Sequence, residues 1–196
     1  MIQRLQVRYV SDVFVGRNHS FIICDEIKRI KSEKKKYQIL RCWGHNHYGQ
    51  LGLGHLEQSV FTQVENEFFR DKDIKSITGG DGHTLVLTKS NELYGMGRND
   101  DGQLGFSNIE NDSEGKLIYT YPIPKKIDHS LINSITSASN YNYGLDTINN
   151  LAYSWGFGQN YVLGNKSDSN QLVITQVPKD FFKNKIIGQV RLLYLY

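Results

Sequence analysis

Leu40-Arg-Cys-Trp-Gly-His-Asn-His-Tyr-Gly-Gln-Leu-Gly-Leu-Gly54 decides how this chain folds, because the stretch occurs twice more. Its second copy reads Leu93-Tyr-Gly-Met-Gly-Arg-Asn-Asp-Asp-Gly-Gln-Leu-Gly-Phe106, and its third reads Ala152-Tyr-Ser-Trp-Gly-Phe-Gly-Gln-Asn-Tyr-Val-Leu-Gly164. Trp43, Met96 and Trp155 fall at one position, each followed directly by glycine (Gly44, Gly97, Gly156) and nine residues later by another (Gly52, Gly105, Gly164). A fixed internal period constrains the fold more than any single motif does.

Working outward, a second block precedes each copy: Asp12-Val-Phe-Val-Gly-Arg-Asn-His-Ser-Phe-Ile-Ile23, Ser76-Ile-Thr-Gly-Gly-Asp-Gly-His-Thr-Leu-Val-Leu87 and Ser134-Ile-Thr-Ser-Ala-Ser-Asn-Tyr-Asn-Tyr-Gly-Leu145. His19, His83 and Tyr141 are in register there. A third block, Phe61-Thr-Gln-Val64 with Phe68-Phe69, returns as Ile174-Thr-Gln-Val177 with Phe181-Phe182, and more loosely as Pro124-Lys-Lys-Ile127. The unit is thus roughly 53 to 59 residues long, and the chain divides into stretches of approximately 1–39, 40–92, 93–150 and 151–196 of one domain.

Within a unit the apolar period is two. Thr84-Leu-Val-Leu-Thr88, a polar turn, then Leu93-Tyr-Gly-Met96 reads as a β-hairpin. Four short strands per unit with glycine-bearing turns is the pattern of a propeller blade, whose small sheet packs face to face on its neighbours. The expected fold is all-β, with about three four-stranded blades. Closed propellers usually need about four to eight blades, so this is part of a ring.

Composition agrees with a folded chain. Of 196 residues, 39% are hydrophobic and 12% aromatic, which excludes compositional disorder. A net charge of +3 is too mild to mark a nucleic-acid binder without a clustered patch. Cys24 and Cys42 are too few for a disulfide scaffold or a cysteine zinc site. No apolar run reaches the roughly 20 residues of a membrane helix, and Met1 to Val10 does not read as a signal peptide. The expectation is no membrane association and no secretion.

The pattern Trp-Gly-x-Asn-x-x-Gly-Gln-Leu-Gly, met in full from Trp43 to Gly52, resembles the regulator of chromosome condensation repeats. So does Gly-x-x-His-(Ser/Thr), present at Gly16 to Ser20 and Gly80 to Thr84. The third copy, from Ala152, resembles the final blade of the exchange factors for the Ran GTPase, as do the insertion between Phe106 and Pro122 and the loss of histidine at Tyr141. The resemblance implies a seven-bladed propeller of which this chain supplies the C-terminal three blades or so. It further implies guanine-nucleotide exchange on a small GTPase of Ran type in the nucleus, with chromatin as a further partner and cytoplasm as the alternative location. No cofactor, metal, covalent catalysis or small-molecule substrate is expected.

The resemblance places partner contacts on the loops before the second-block strands. The matching positions are Arg17, Asn18 and His19, then Asp81, Gly82 and His83, then Ser139, Asn140 and Tyr141. Where Ran-type members carry two consecutive histidines, the first tied to exchange, this chain has Gly82 and His83. At Gly188 to Tyr196, moreover, the family would run on into another Gly-x-x-His strand. Alternative expectations are a noncatalytic propeller scaffold for protein–protein interaction, as in ubiquitin-ligase-associated members, or a truncated inactive relative.

Other motifs have simpler readings. Trp43, Gly44, Gly52, Gly97, Gly105, Trp155, Gly156 and Gly164 are expected to be architectural, the large side chains wedged between blades and the glycines placed where a Cβ is excluded. His19 and His83 also suit a hydrogen-bonding role in blade geometry. His45-Asn-His47 lacks a third ligand at a zinc spacing, and Asn99-Asp-Asp-Gly102 lacks the carboxylates of a calcium loop. Gly52-Leu-Gly54 and Gly79-Gly80 lack the Gly-Lys-(Ser/Thr) of a phosphate loop. The basic run Lys28 to Lys36 stands where the repeat has a hairpin turn and is expected to be an extended, solvated loop, with nuclear import or DNA-phosphate contact as its functional readings.

Overall fold

The computed structural model describes residues 8–30, 33–57, 59–106 and 110–182. These form three four-stranded antiparallel sheets, each a simple meander. The first contains β1 (Arg8–Val15), β2 (His19–Ile30), β3 (Glu33–His45) and β4 (Ser59–Glu65). The second contains β5 (Ile74–Gly79), β6 (His83–Thr88), β7 (Leu93–Arg98) and β8 (Thr120–Ile127). The third contains β9 (Ser134–Ala138), β10 (Tyr141–Asp146), β11 (Leu151–Gly156) and β12 (Gln171–Gln176). The only described helices are short 3₁₀ turns, so none is long and apolar enough to cross a membrane.

The repeated stretch is offset from the sheets by two strands. Residues 40–92 supply the second half of β3 and all of β4 to the first sheet, then β5 and β6 to the second. Residues 93–150 do the same for the second and third sheets, with β7 to β10.

The apolar cores lie between sheets. Alternation puts Phe21, Ile23, Leu40 and Cys42 on the face of the first sheet that meets Val86, Tyr94 and Met96 of the second. One residue out of phase, Leu85, Leu87 and Leu93 face the third sheet and pack with Ile132, Tyr153 and Trp155. The second sheet is therefore covered on both sides, and every residue of β6 is buried.

Trp155 and Met96 are fully buried at these junctions, as expected of wedges. Trp43 is not: it is half-buried, because the face of the first sheet that carries it meets no other described sheet. The glycine columns have a steric cause. Gly44, Gly97 and Gly156 adopt φ of +105°, +101° and +99°, and a Cβ there would fall on the carbonyl oxygens of Asn18, Gly82 and Asn140. At Gly52 and Gly105 a Cβ would meet the Met96 sulfur and the Trp155 indole of the following sheet.

The basic run departs from expectation. β2 and β3 continue into it from either end, pairing Lys28 with Lys35, Arg29 with Lys34 and Ile30 with Glu33. Main-chain pairing once begun continues whatever the side chains, provided they can point to water. Lys36 ion-pairs with Asp25 at 2.8 Å. The Gly188 to Tyr196 stretch lies outside the described residues.

Candidate partner-binding face

Because β2 runs antiparallel to both neighbours, the β1–β2 and β3–β4 loops emerge at the same end of the sheet. Backbone bonds tie them: the amides of His45, Arg98 and Phe157 donate to the carbonyls of Asn18, Gly82 and Asn140 at 2.8, 2.9 and 2.9 Å. The three sheets thus present six loops on one rim. Neighbouring sheets are joined along it, since Arg17 N donates to Gly80 O at 3.3 Å and Asp81 N to Ser139 O at 2.9 Å. Asp81 takes an ion pair from Arg17 at 2.9 Å and a hydrogen bond from the Ser139 hydroxyl at 3.2 Å, so one carboxylate links all three sheets.

This brings the expected loop residues together but divides them. Arg17 and Asn18 are exposed, and Asp81, Ser139, Asn140 and Tyr141 are half-buried. Gly82, His19 and His83 are buried, the histidines 2% and 0% exposed. Each histidine is the first residue of a second strand and points into the next sheet. His19 Nε2 lies 2.8 Å from Thr84 Oγ1, and the Thr84 hydroxyl donates to Gln50 O at 2.9 Å. That hydroxyl proton is thereby spent, so His19 Nε2–H is the donor. His83 Nε2 lies 2.7 Å from Asn142 Oδ1, while Asn142 Nδ2 donates to Gln103 O at 2.8 Å. The amide is oriented by its own donation, and His83 too donates through Nε2.

Both rings are neutral clasps. Burial, joined by the nearby His83 and His45, lowers the His19 pKa to about 3. Burial lowers that of His83 to about 4, against the opposing effect of the Asn142 bond. Burial likewise pushes the Cys42 thiol up to about 12, leaving it unreactive.

The β3–β4 and β7–β8 loops supply further rim residues, outside the positions the family pattern marks. Tyr48 lies over Gly82, with the Arg98 guanidinium 5.5 Å from its ring centroid, and Arg98 is held by Asp100 at 2.6 Å. At the matching place one sheet on, Asp101 accepts from Asn140 at 3.1 Å and Asn170 at 2.9 Å. The sequence signal was available: Tyr48 and Asp101 are equivalent positions of the repeated stretch. Among the described residues no group of three or more histidine, cysteine or acidic side chains could hold a metal ion.

Sheets packed face to face, clasped through their second strands and linked along a loop-bearing rim, define an arc of a β-propeller. The profile of the regulator of chromosome condensation repeat matches residues 42–87 and again 74–103. Residues 42–103 thus carry regulator of chromosome condensation repeats. The chain is 47% identical over 72 residues to the secretion-regulating guanine nucleotide exchange factor of Mus musculus, a match covering 37% of this chain and 16% of that protein. It is 28% identical over 170 residues to the guanine nucleotide exchange factor SRM1 of Saccharomyces cerevisiae, covering 81% of this chain and 32% of that one. The solved structure of Prp20p from Saccharomyces cerevisiae, characterised for its binding to Gsp1p and histones, aligns with a TM-score of 0.72 at 27% identity, over 88% of this chain and 39% of that one. The chain thus spans under two-fifths of each of these proteins.

Proposed function

We propose that this chain forms part of the partner-binding face of an exchange-factor-type propeller, acting on a small GTPase of Ran type in the nucleus, with chromatin as a second partner. The carrying observation is the continuous rim, in which Asp81 fastens three successive sheets into one rigid surface. The similarity to two exchange factors, and to a protein that binds Gsp1p and histones, supports the reading.

Exchange of this kind makes and breaks no covalent bond. A surface that binds the nucleotide-free GTPase more tightly than the loaded one lowers nucleotide affinity by the same factor. Rigidity matters because each loop ordered only on binding would subtract from that difference. The test is release of a fluorescent guanine nucleotide from the loaded GTPase. Acceleration that rises with the concentration of this chain is expected; an unchanged rate, with no capture of the nucleotide-free GTPase, overturns the reading.

One observation favours a second reading, a scaffold without exchange activity. The position that the resemblance ties to exchange is Gly82, and its side-chain space is filled by Tyr48. Stable binding of the nucleotide-free GTPase or of another protein, with nucleotide release unaltered, selects the scaffold.

A further inference from the structure

Equivalent positions build the rim at both junctions, yet the results differ. Asp101 of the second sheet reaches the third, each of its two oxygens accepting from an asparagine amide there. Tyr48 of the first sheet reaches the second, where its ring packs on Gly82 and Arg98. It fills the space over Gly82, where an added Cβ would come 2.7 Å from Tyr48 Cδ2 and 3.4 Å from Arg98 Cβ. The His47 ring packs edge-on to it at 5.2 Å, and Arg98 faces it at 5.5 Å.

The pair is preorganised from below. Arg98 Nη2 donates to Asp100 at 2.6 Å, and the other Asp100 oxygen accepts from Gln103 at 3.2 Å. The Arg98 amide is bound to the Gly82 carbonyl at 2.9 Å. One edge of the guanidinium is thereby committed while its side chain keeps 28% exposure, and Tyr48 is half-buried rather than covered. A fixed aromatic ring beside a fixed arginine, open to solvent on one side, is the composition of an interface anchor, because little side-chain entropy is left to lose on binding.

We propose that Tyr48 and Arg98, seated on Gly82, are the anchor of the partner contact. This rests on the exchange-factor reading above. The partner group it fits is a carboxylate flanked by an aliphatic side chain: the phenol and the remaining guanidinium N–H groups donate to the carboxylate, and the solvent-open side of the ring takes the aliphatic part.

The experiment measures the affinity of the chain for nucleotide-free Ran-type GTPase by titration on an immobilised surface. Tyr48→Ala is expected to weaken binding by about 30-fold or more, and Gly82→Ala, which keeps the tyrosine but pushes it from its seat, by about 10-fold. Ile148→Ala, in the exposed β10–β11 turn at the end of the third sheet opposite the rim, should stay within about twofold of the parent chain. If Tyr48→Ala lowers the melting temperature by more than about 5 °C, Tyr48→Phe decides instead; it keeps the ring and should still lose about fivefold through the hydroxyl. Binding by the parent chain with the deciding variant within about twofold overturns the anchor and leaves the exchange reading standing. No binding by the parent chain removes both.

Discussion

The junction between the first and second sheets and the one between the second and third are built alike at depth and differently at the rim. At depth, Met96 rests on Gly52 in one and Trp155 on Gly105 in the other, each beside a histidine clasp that ends on the carbonyl of Gln50 or Gln103. Thr84 and Asn142 fill the same clasp position with different chemistry, and both work because each has a donor for the carbonyl and an acceptor for the histidine. At the rim, by contrast, Tyr48 over Gly82 answers to Asp101 beside Asn140. Stability is thus fixed by seat and clasp, while the loops above them are free to carry recognition.

The largest effect should come from Trp155→Ala. Its indole is fully buried and donates to Gln103 O at 3.0 Å, so its removal is expected to cost about 3–5 kcal/mol in denaturant unfolding. A loss near zero would mean that the third sheet does not lean on the second as described.

Acid should weaken both junctions together. His19 and His83 have folded pKa values of about 3 and about 4, below their ordinary 6.5, so the unfolded chain binds protons first. Their contribution is complete above pH 6.5 and is lost as the pH falls toward the folded values, by about 2 kcal/mol for each histidine at pH 5. His83→Gln should remove part of that pH dependence. An unchanged slope would show that the clasps are not the titrating element.

Trp43→Ala sharpens the contrast with its equivalent. Half-buried on a face that meets no described sheet, Trp43 should cost less than half the Trp155 loss, about 1–2 kcal/mol. Equal losses from the two tryptophans would show that the Trp43 face is packed in solution. The smallest effect is expected from Arg17→Ala. The ion pair is exposed on the arginine side, 60% against 24% for Asp81, so stability should change by about 0.5 kcal/mol or less while partner binding weakens.

The blades were legible in the sequence because a repeat of this length fixes strand number, strand phase and the glycine positions at once. The column Trp43, Met96 and Trp155 named the wedge, but not that one wedge would meet no neighbouring sheet, since burial belongs to the pair of sheets and not to the residue. His19 and His83 were placed with the loops because they adjoin them in sequence. Only the strand pleat, which turns the first residue after the loop into the next sheet, removes them from the surface. Tyr48 was overlooked because its role depends on the missing side chain of Gly82, a contact between different loops that spacing along one unit does not display. The run from Lys28 to Lys36 hid two strand ends because charge masks a period of two that the backbone pairing keeps.

The two-strand offset between repeat and sheet has a mechanical consequence. Each sheet begins in one stretch and ends in the next, so the two whole repeats, 40–92 and 93–150, each work as a staple whose two legs sit in adjacent sheets. Unfolding either of these repeats alone would therefore break hairpin pairing in two sheets at once. The cooperative unit of local opening is therefore expected to straddle a junction, and slowly exchanging amides should cluster across β6 and β10 rather than mark off one sheet from another.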